Sequence, residues 1–515
     1  MYFYLKRLRS GIGPCIPGAI KRIAPPANHP SIKPRKTIAA VQGEGTMQKI
    51  SATLAISARV ASCFVVVAIV MLTSLSAWSA VTEQEAQQLK TTLTPFGGER
   101  AGNKEGTIPA WTGGYTTVPT GYKSGDTRPD PFASDKPLYV ITAANAAQYQ
   151  DKLMPGDLEL FKKYPDTYQL QVYPTHRTAA APAYVYENIY KNALRAKTTN
   201  NGLTIENAYG GIPFPIPHDG NEAMWNHLLA WKGVSYSDTS YGWLMTTTGE
   251  IVLASIATSN GELPYYFKDG SPETFMKNDG GIYLRQFVYI TEPPYQNGNA
   301  TMLLNNIDTY DKGQAAWQYL PGQRRVRMAP SLTYDTPNFF VSGVGQMDDF
   351  NLFYGAFDRY DFKLVGKKEM IVPYNMNKLR LLTKEQQMEL HHANPNAVRY
   401  ELHRVWVVEA TLAPGKRNAV AKRRIYLDED TWQAVGAEEW DASGNLWRHI
   451  QGITLDVPEA PATVLWGQIT YDFHTGVYVL DAVSSPGLGN SYRILPEPYP
   501  ANYFTPDAMA ARMSR

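Results

Sequence analysis

From residue 241 onward, apolar and polar residues alternate with a period of two. Two such arms, at 241–247 and 250–258, flank a Thr248–Gly249 turn. In residues 282–291 the odd positions up to 289 are aromatic or basic, and most even positions are aliphatic. Further alternating runs lie at 363–373, 402–412, 422–428, 431–440, 446–455 and 464–473. Strands that recur at short intervals with tight turns predict an antiparallel meander, either a sandwich or a strongly curved sheet.

A hairpin is predicted at residues 315–330, AAWQYLPGQRRVRMAP. Its first arm carries Trp317 and Tyr319, Pro321 and Gly322 form the turn, and the return arm is rich in arginine. We expect a strand pair with one face inside the protein and a cationic rim outside.

Capping patterns predict the starts of several helices. Thr82 and Glu85 form a capping-box pattern, and Asp219 is a predicted N-cap for a helix that runs to about residue 232. Residues 346–357 and 385–395 are also predicted helices, and Thr505 with a following proline predicts a short helix to residue 513. The apolar stripe of the helix after Asp219 is interpreted either as core packing or as the lining of a ligand cavity.

The net charge of +2 hides an uneven distribution of charge. Residues 1–80 contain ten of the 49 basic residues and one of the 47 acidic residues, which leaves 39 basic and 46 acidic residues beyond them. The remainder therefore has a net charge of −7. Proteins that bind nucleic acid need clustered basic residues to neutralise phosphate, so this class of function is not expected.

The N-terminus is typical of an export signal. Residues 1–46 are predicted to be a non-translated or disordered leader, and residues 47–80 a signal peptide with Lys49 before an apolar run at 60–77. A retained membrane anchor is the alternative, because that run is close to the ~20 residues that span a bilayer. Both cysteines, Cys15 and Cys63, lie in this region, so the mature chain has no thiol chemistry.

We predict two segments in the exported part, which together form one continuous domain. Residues 81–240 are expected to be a wrapping segment with short helices, and residues 241–515 the antiparallel meander. The predicted location is the periplasm.

Five sequence blocks carry a resemblance to a known family: FGGERAGNKEGTIPAWTGG, GGIPFPIPHDGNEAMWNH, WQYLPGQRRVRMAP, MDDFNLFYGAFDRYDFKLVGKKEM and RRIYLDEDTWQAVGAEEWD. They resemble an uncharacterised bacterial periplasmic family, domain of unknown function thirteen-twenty-nine. Its members are similar to the outer-membrane lipoprotein-sorting proteins LolA and LolB. The resemblance extends from about residue 83 to the C-terminus. It implies a mainly β fold with covering helices (α+β), in which a highly curved antiparallel sheet forms a half-open barrel around a cavity for acyl chains.

The same resemblance implies an envelope transporter of the resistance-nodulation-division type, in the inner or outer membrane, as a partner. It brings no catalytic residues. A sheet with an aromatic concave face would bind a hydrophobic small molecule or acyl chain, since each buried CH₂ contributes about 0.8 kcal/mol. The predicted cavity residues are Trp225, Leu228, Leu229, Tyr283, Phe287, Tyr289, Trp317, Tyr319 and Trp406. The predicted headgroup or partner rim is Arg324, Arg325 and Arg327, for which a solvated strand face paired with carboxylates is the alternative.

No catalytic motif was found. The sequence has no HExxH, GxSxG or CxxC, and neighbouring histidines such as His391 and His392 point about 100° apart on a helix, which prevents joint chelation of a metal. We therefore expect no catalytic residue, metal or cofactor. The predicted function is a periplasmic binding or carrier protein for a lipid or other hydrophobic molecule. A structural or regulatory envelope protein and a carboxylate-based hydrolase are the alternatives.

Overall fold

The computed structural model describes residues 80–484 and 492–514. The predicted leader at 1–46, and the signal peptide up to residue 79, lie outside the described residues. The described residues belong to one compact unit, which spans Ser76–Arg515. Among them, no helix has the length and apolar character needed to cross a membrane.

In the described part of the chain, the strands are short in the first third and long thereafter. They are β1 Tyr139–Ile141, β2 Leu170–Val172, β3 Lys197–Thr199, β4 Thr204–Glu206, β5 Ser235–Met245, β6 Ile251–Glu262, β7 Ile282–Glu292, β8 Ala300–Asn306, β9 Gln314–Leu320, β10 Arg325–Met328, β11 Tyr360–Pro373, β12 Met388–Glu389, β13 His392–Ala393, β14 Tyr400–Leu412, β15 Lys422–Asp428, β16 Ala434–Trp440, β17 Leu446–Val457, β18 Ala462–Asp472, β19 Tyr478–Val483 and β20 Arg493–Leu495.

The α-helices are short. They are α1 Glu83–Gln87, α2 Pro155–Lys163, α3 Ala183–Arg195, α4 Gly220–Leu228, α5 Pro272–Asp279, α6 Lys384–Gln387 and α7 Pro506–Met513.

One sheet contains sixteen of the described strands. Along its main path the strands follow the order β1, β2, β14, β15, β16, β17, β18, β19, β5, β6, β7, β8, β9, β10, while β11 pairs with β14 and β20 with β5. All pairings are antiparallel except one parallel contact, between Tyr400 and Val172. The predicted fold class is confirmed: the protein is mainly β, and its large curved antiparallel sheet carries helices and does not close into a barrel.

Two meanders, β5 to β10 and β14 to β19, meet where β19 pairs with β5. The ladder shifts register within β5–β6, between Gly242 and Trp243, and within β17–β18, between Ile453 and Thr454. Such bulges bend a strand and increase its twist, which is how a sheet of this width becomes curved.

The predicted hairpin at 315–330 is confirmed as β9 and β10, with Arg325 opposite Leu320 and Met328 opposite Trp317. The predicted helix starts are confirmed as well. Thr82 and Glu85 cap each other reciprocally, and Asp219 accepts a hydrogen bond from the backbone N–H of Glu222 at 2.8 Å. The helix after Asp219 ends at Leu228, four residues before the predicted end.

Two predicted helices are wrong. Residues 346–357 form a 3₁₀ turn, Met347–Leu352, which is interrupted by extended Phe350 and left-handed Asn351. Residues 385–395 are helical only as far as Gln387, in a helix that begins at Lys384, and then form the small β12–β13 ribbon. In both segments tertiary contacts override a helical pattern that is too short to be stable alone.

Candidate functional site

A cavity lies against one face of β5–β8, next to β18 and β19. Its volume is about 90 Å³, which gives room for roughly six to nine water molecules at about 10–15 Å³ each. The sheet residues that line it are Tyr236, Asp238, Ser240, Tyr241, Gly242, Ser255, Ala257, Ser259, Gln286, Val288, Thr301, Leu303, Gln314, Leu465, Trp466, Asp481 and Ala482.

Strand register explains why these residues share a face. Asp238 is opposite Ser259, which is opposite Val288, which in turn is opposite Thr301. Because directly opposed residues point to the same side of a sheet, this row of four crosses the floor of the cavity. The row combines one carboxylate, two hydroxyls and one aliphatic side chain.

Small side chains on β5 and β6 create the empty space. The positions that line the cavity beside the row described above include Ser240, Gly242, Ser255 and Ala257. Interiors are otherwise packed closely, so a run of small residues opposite a covering segment leaves a hollow.

Gly261 allows an aromatic ring to close one end of the cavity. The Tyr236 ring lies so close to the Gly261 backbone that a Cβ there would be 2.2 Å from it. The Tyr236 hydroxyl accepts a hydrogen bond from Gln286 Nε2 at 3.0 Å, and the ring stacks on Tyr492 with the centroids 5.5 Å apart. Any larger residue at 261 would displace this wall.

Residues 330–354, here called the roof segment, cover the cavity. The segment contributes Leu332, Phe340, Met347, Phe350, Asn351 and Tyr354 to the lining. Ser255 Oγ donates a hydrogen bond to the Phe340 carbonyl at 2.8 Å, and Asn338 Nδ2 donates to Asp481 Oδ2 at 3.3 Å. The roof is therefore irregular backbone held to the sheet by polar contacts, and one of the wrong helix predictions falls within it.

One polar atom on the cavity wall, Thr301 Oγ1, has no hydrogen-bond partner among the described residues, and Thr301 is 1% exposed. Asp238, Tyr354 and Trp466 place further polar groups on the same wall. A buried polar group without a partner costs about 1–3 kcal/mol, so Thr301 beside an open space indicates a place where a guest or water binds.

Three charged side chains also line the cavity. Burial raises the pKa of Asp238 to about 6 and that of Asp481 to about 6. Burial lowers the pKa of Lys232 to about 8. Lys232 also borders a smaller neighbouring cavity of about 20 Å³, together with His227, whose pKa burial lowers to about 4.

None of the nine predicted cavity residues lines the larger cavity, and Leu228 alone among them lines the smaller one. Trp225 is buried against Phe357, with the ring centroids 4.8 Å apart, and its Nε1 donates to the Gly202 carbonyl at 2.8 Å. Leu229 and Tyr283 belong to the same main core. The ligand role predicted for these residues stays a prediction, and among the nine only Leu228 lines either cavity.

Four of the nine lie on the opposite face of the sheet. Phe287 and Tyr319 are buried in a cluster with Met509 of α7, and Tyr289 and Trp317 pack against that cluster. Helix α7 therefore covers the aromatic face for which a ligand was expected. The ninth residue, Trp406, stacks on Trp432 with the ring centroids 6.0 Å apart.

The three rim arginines are exposed. Arg324 and Arg325 have no ion-pair or hydrogen-bond partner through their side chains among the described residues, and Arg327 donates to Gln318 Oε1 at 3.4 Å. The alternative in which carboxylates pair with them is not seen within the described part of the chain. They lie on the terminal strand β10 and its turn, away from the cavity lining.

The sequence carries one signal for the cavity. Ser, Ala and Gly occupy every second position of SIATSNG on β6, and Ser240 and Gly242 do the same at the end of SYSDTSYG on β5. Small residues on one face of a strand mark a close approach or a hollow. Within the described residues, no cluster of three or more His, Cys, Asp or Glu side chains is arranged to hold a metal ion.

Comparison with known proteins gives a family and several relatives. Residues 140–510 match the family model described as "Protein of unknown function (DUF1329)". An uncharacterized protein of Pseudomonas aeruginosa, PA3922, is 41% identical over 383 residues, which are 72% of this chain and 81% of that protein. The predicted family is therefore confirmed.

Two solved structures are more distant. A DUF1329 family protein from Desulfovibrio piger is 13% identical and has a TM-score of 0.36, covering 54% of this chain and 92% of its own. A LolA superfamily protein from Nitrosomonas europaea, NE2245, is 13% identical and has a TM-score of 0.34, covering 57% of this chain and 100% of its own.

Proposed function

The chain belongs to the DUF1329 family, and on that premise we propose that it is a binding or carrier protein of the bacterial envelope. Its ligand is an amphiphilic molecule held in the cavity between β5–β8 and the roof segment. The predicted periplasmic location and a transporter partner belong to the same proposal.

The observation that supports it is the mixed character of the cavity wall. Phe340, Phe350 and Val288 offer apolar surface, and each CH₂ that moves there from water contributes about 0.8 kcal/mol. The unpartnered Thr301 hydroxyl and the Tyr354 hydroxyl offer hydrogen bonds in the same space. A ligand with an apolar and a polar part satisfies both sets of groups, whereas a purely apolar ligand would leave the polar atoms unpaired.

The test combines extraction of bound molecules with titration of a fluorescent probe. Protein purified without detergent is extracted with organic solvent, and the extract is analysed by mass spectrometry. Separately, the fluorescent probe N-phenyl-1-naphthylamine is titrated into the delipidated protein. We expect a bound amphiphile in the extract and saturable probe fluorescence.

A variant that fills the cavity makes the test specific. Ala257→Leu adds three carbon atoms to the floor of the cavity and should weaken probe binding by about tenfold or more, while the protein stays folded. Ala442→Leu, in the exposed β16–β17 turn, is the matched control and should bind as the wild type does. Equal binding by both variants, or an extract without any amphiphile together with no probe uptake, contradicts the proposal.

A further inference from the structure

The charged groups on the cavity wall have no counter-ion in contact among the described residues. Lys232, Asp238 and Asp481 all line the cavity, and none of them forms an ion pair with another described residue within 4.0 Å. Both aspartates are 5% exposed. By contrast, the buried carboxylates of Asp349 and Glu439 share Arg423 at 2.6 Å each.

Arg380 is the cation whose field reaches Asp238, but it does not neutralise the carboxylate by contact. Its guanidinium lies over the Trp466 ring at 5.2 Å from the centroid, and its Nε donates to Ser484 Oγ at 3.3 Å. Arg380 itself does not line the cavity. The carboxylate face of the cavity therefore remains open to a second positive charge.

The positively and negatively charged side chains lie on different parts of the cavity wall. Lys232 lies where the larger cavity meets the smaller one, in the segment before β5. Asp238 lies on β5, and Asp481 lies on β19, close to the roof residue Asn338. A buried charge without a partner is unfavourable, and attraction to an opposite charge is stronger in a partly buried site than in bulk water. A ligand that stabilises all three groups must carry both signs.

The size of the cavity limits the ligand further. A space of about 90 Å³, sufficient for roughly six to nine waters, accommodates a headgroup and the first part of one chain better than two chains side by side.

Resting on the proposed function, we propose that the ligand is a single-chain amphiphile with a zwitterionic headgroup, whose ammonium group binds the Asp238 and Asp481 side and whose acidic group binds Lys232. The aromatic and aliphatic residues of the roof contact the start of its chain. Aminophospholipids with one acyl chain have this chemistry, and so do other single-chain molecules with an amino and an acidic group.

The test uses probes that each carry one aliphatic chain of the same length and differ in the charge of their headgroup, each below its critical micelle concentration. They are lysophosphatidylethanolamine (zwitterionic), lysophosphatidylglycerol (anionic), an alkylamine (cationic) and a monoacylglycerol (uncharged). Affinities are measured by isothermal titration calorimetry with the delipidated exported chain. The zwitterionic probe should bind about tenfold or more tightly than each of the other three.

Three variants test which side chains bind the ammonium group and which binds the acidic group. Asp481→Asn and Asp238→Asn should each weaken the zwitterionic and cationic probes at least about fivefold and leave the anionic probe unchanged or tighter. Lys232→Met should weaken the zwitterionic and anionic probes and leave the uncharged probe unchanged. Asp361→Asn, at an exposed position of β11, is the matched control and should change nothing.

The results distinguish an error in the proposed headgroup from an error in the proposed function. If the uncharged or anionic probe binds as tightly as the zwitterionic one, or if the three variants leave the order of affinities unchanged, the zwitterionic headgroup is wrong and the proposed function stands. If none of the four probes binds, the proposed function fails with it.

Discussion

At the scale of single residues, His403 shows how the interior tolerates charge. It is buried on β14, where Nε2 lies 3.0 Å from Glu401 and Nδ1 lies 3.6 Å from Asp428, and its ring stacks on Tyr374. Burial opposes the charged imidazolium, but the hydrogen bonds and charges of the two carboxylates outweigh burial and raise the pKa of His403 to about 9.

This pKa makes stability depend on pH in a defined direction. An unfolded histidine has a pKa of about 6.5, so the protonated state stabilises the fold fully below that pH, and the contribution is lost as the pH rises to about 9. We expect His403→Gln to lower the free energy of unfolding by an amount on the order of 3 kcal/mol at pH 6 and by much less at pH 9. Urea denaturation at both pH values measures the difference.

His474→Gln is the control, because this side chain is 42% exposed at the end of β18. It should change the free energy of unfolding little at either pH. If His403→Gln destabilises the protein equally at pH 6 and pH 9, the effect is a packing defect and not the loss of a buried cation.

At the scale of elements, β7 has two buried faces. Gln286 and Val288 face the cavity, whereas Phe287 and Tyr289 face the cluster under α7. Alternation in the sequence correctly predicts the strand, but with apolar residues on both faces it cannot show which face borders a hollow. Aromatic side chains suit ligand cavities, so the sequence favours the aromatic face as the binding face, but here their bulk fills the space beneath α7.

We expect Met509→Ala to lower stability without changing ligand affinity, which distinguishes the roles of the two faces. Met509 is fully buried in the cluster under α7, so truncation should lower the free energy of unfolding by about 2–5 kcal/mol. Because α7 lies on the face opposite the cavity, affinity for an amphiphilic probe should stay unchanged in the folded variant. Met328→Ala, at a residue that is 63% exposed, is the control and should affect neither quantity. A loss of affinity in Met509→Ala without unfolding would place the ligand on the aromatic face.

The predictability of the other elements follows from how local their causes are. The caps at Thr82, Asp219 and Thr505 depend on contacts within three residues, and all three were predicted from the sequence. The roof segment depends on contacts with strands far along the chain, such as Asn338 with Asp481. No short-range pattern encodes such contacts, so neither the roof nor the cavity beneath it could be predicted.

At the scale of the whole sheet, β10 ends the path of paired strands. Its exposed residues include Arg325, Arg327 and Met328. Charged side chains on a terminal strand disfavour pairing with the edge of another molecule, which explains these arginines without a headgroup or partner.

We expect the double variant Arg325→Val, Arg327→Val to self-associate at concentrations at which the wild type does not, as measured by sedimentation velocity. The double variant Lys104→Val, Lys268→Val removes the same charge at exposed loop positions and should sediment as the wild type does. If both pairs behave alike, net charge and not the strand edge governs association.

The pairing of β19 with β5 joins residues more than 200 positions apart, in the middle of the sheet. Ribosomes synthesise a chain from its N-terminus, so β5–β8, which form the floor of the cavity, are made before β18 and β19. The wall of the cavity cannot be completed until residues near the C-terminus have been synthesised. Under the proposed function, the ligand therefore enters the cavity after synthesis, and a fragment that ends before Tyr478 lacks part of the cavity wall.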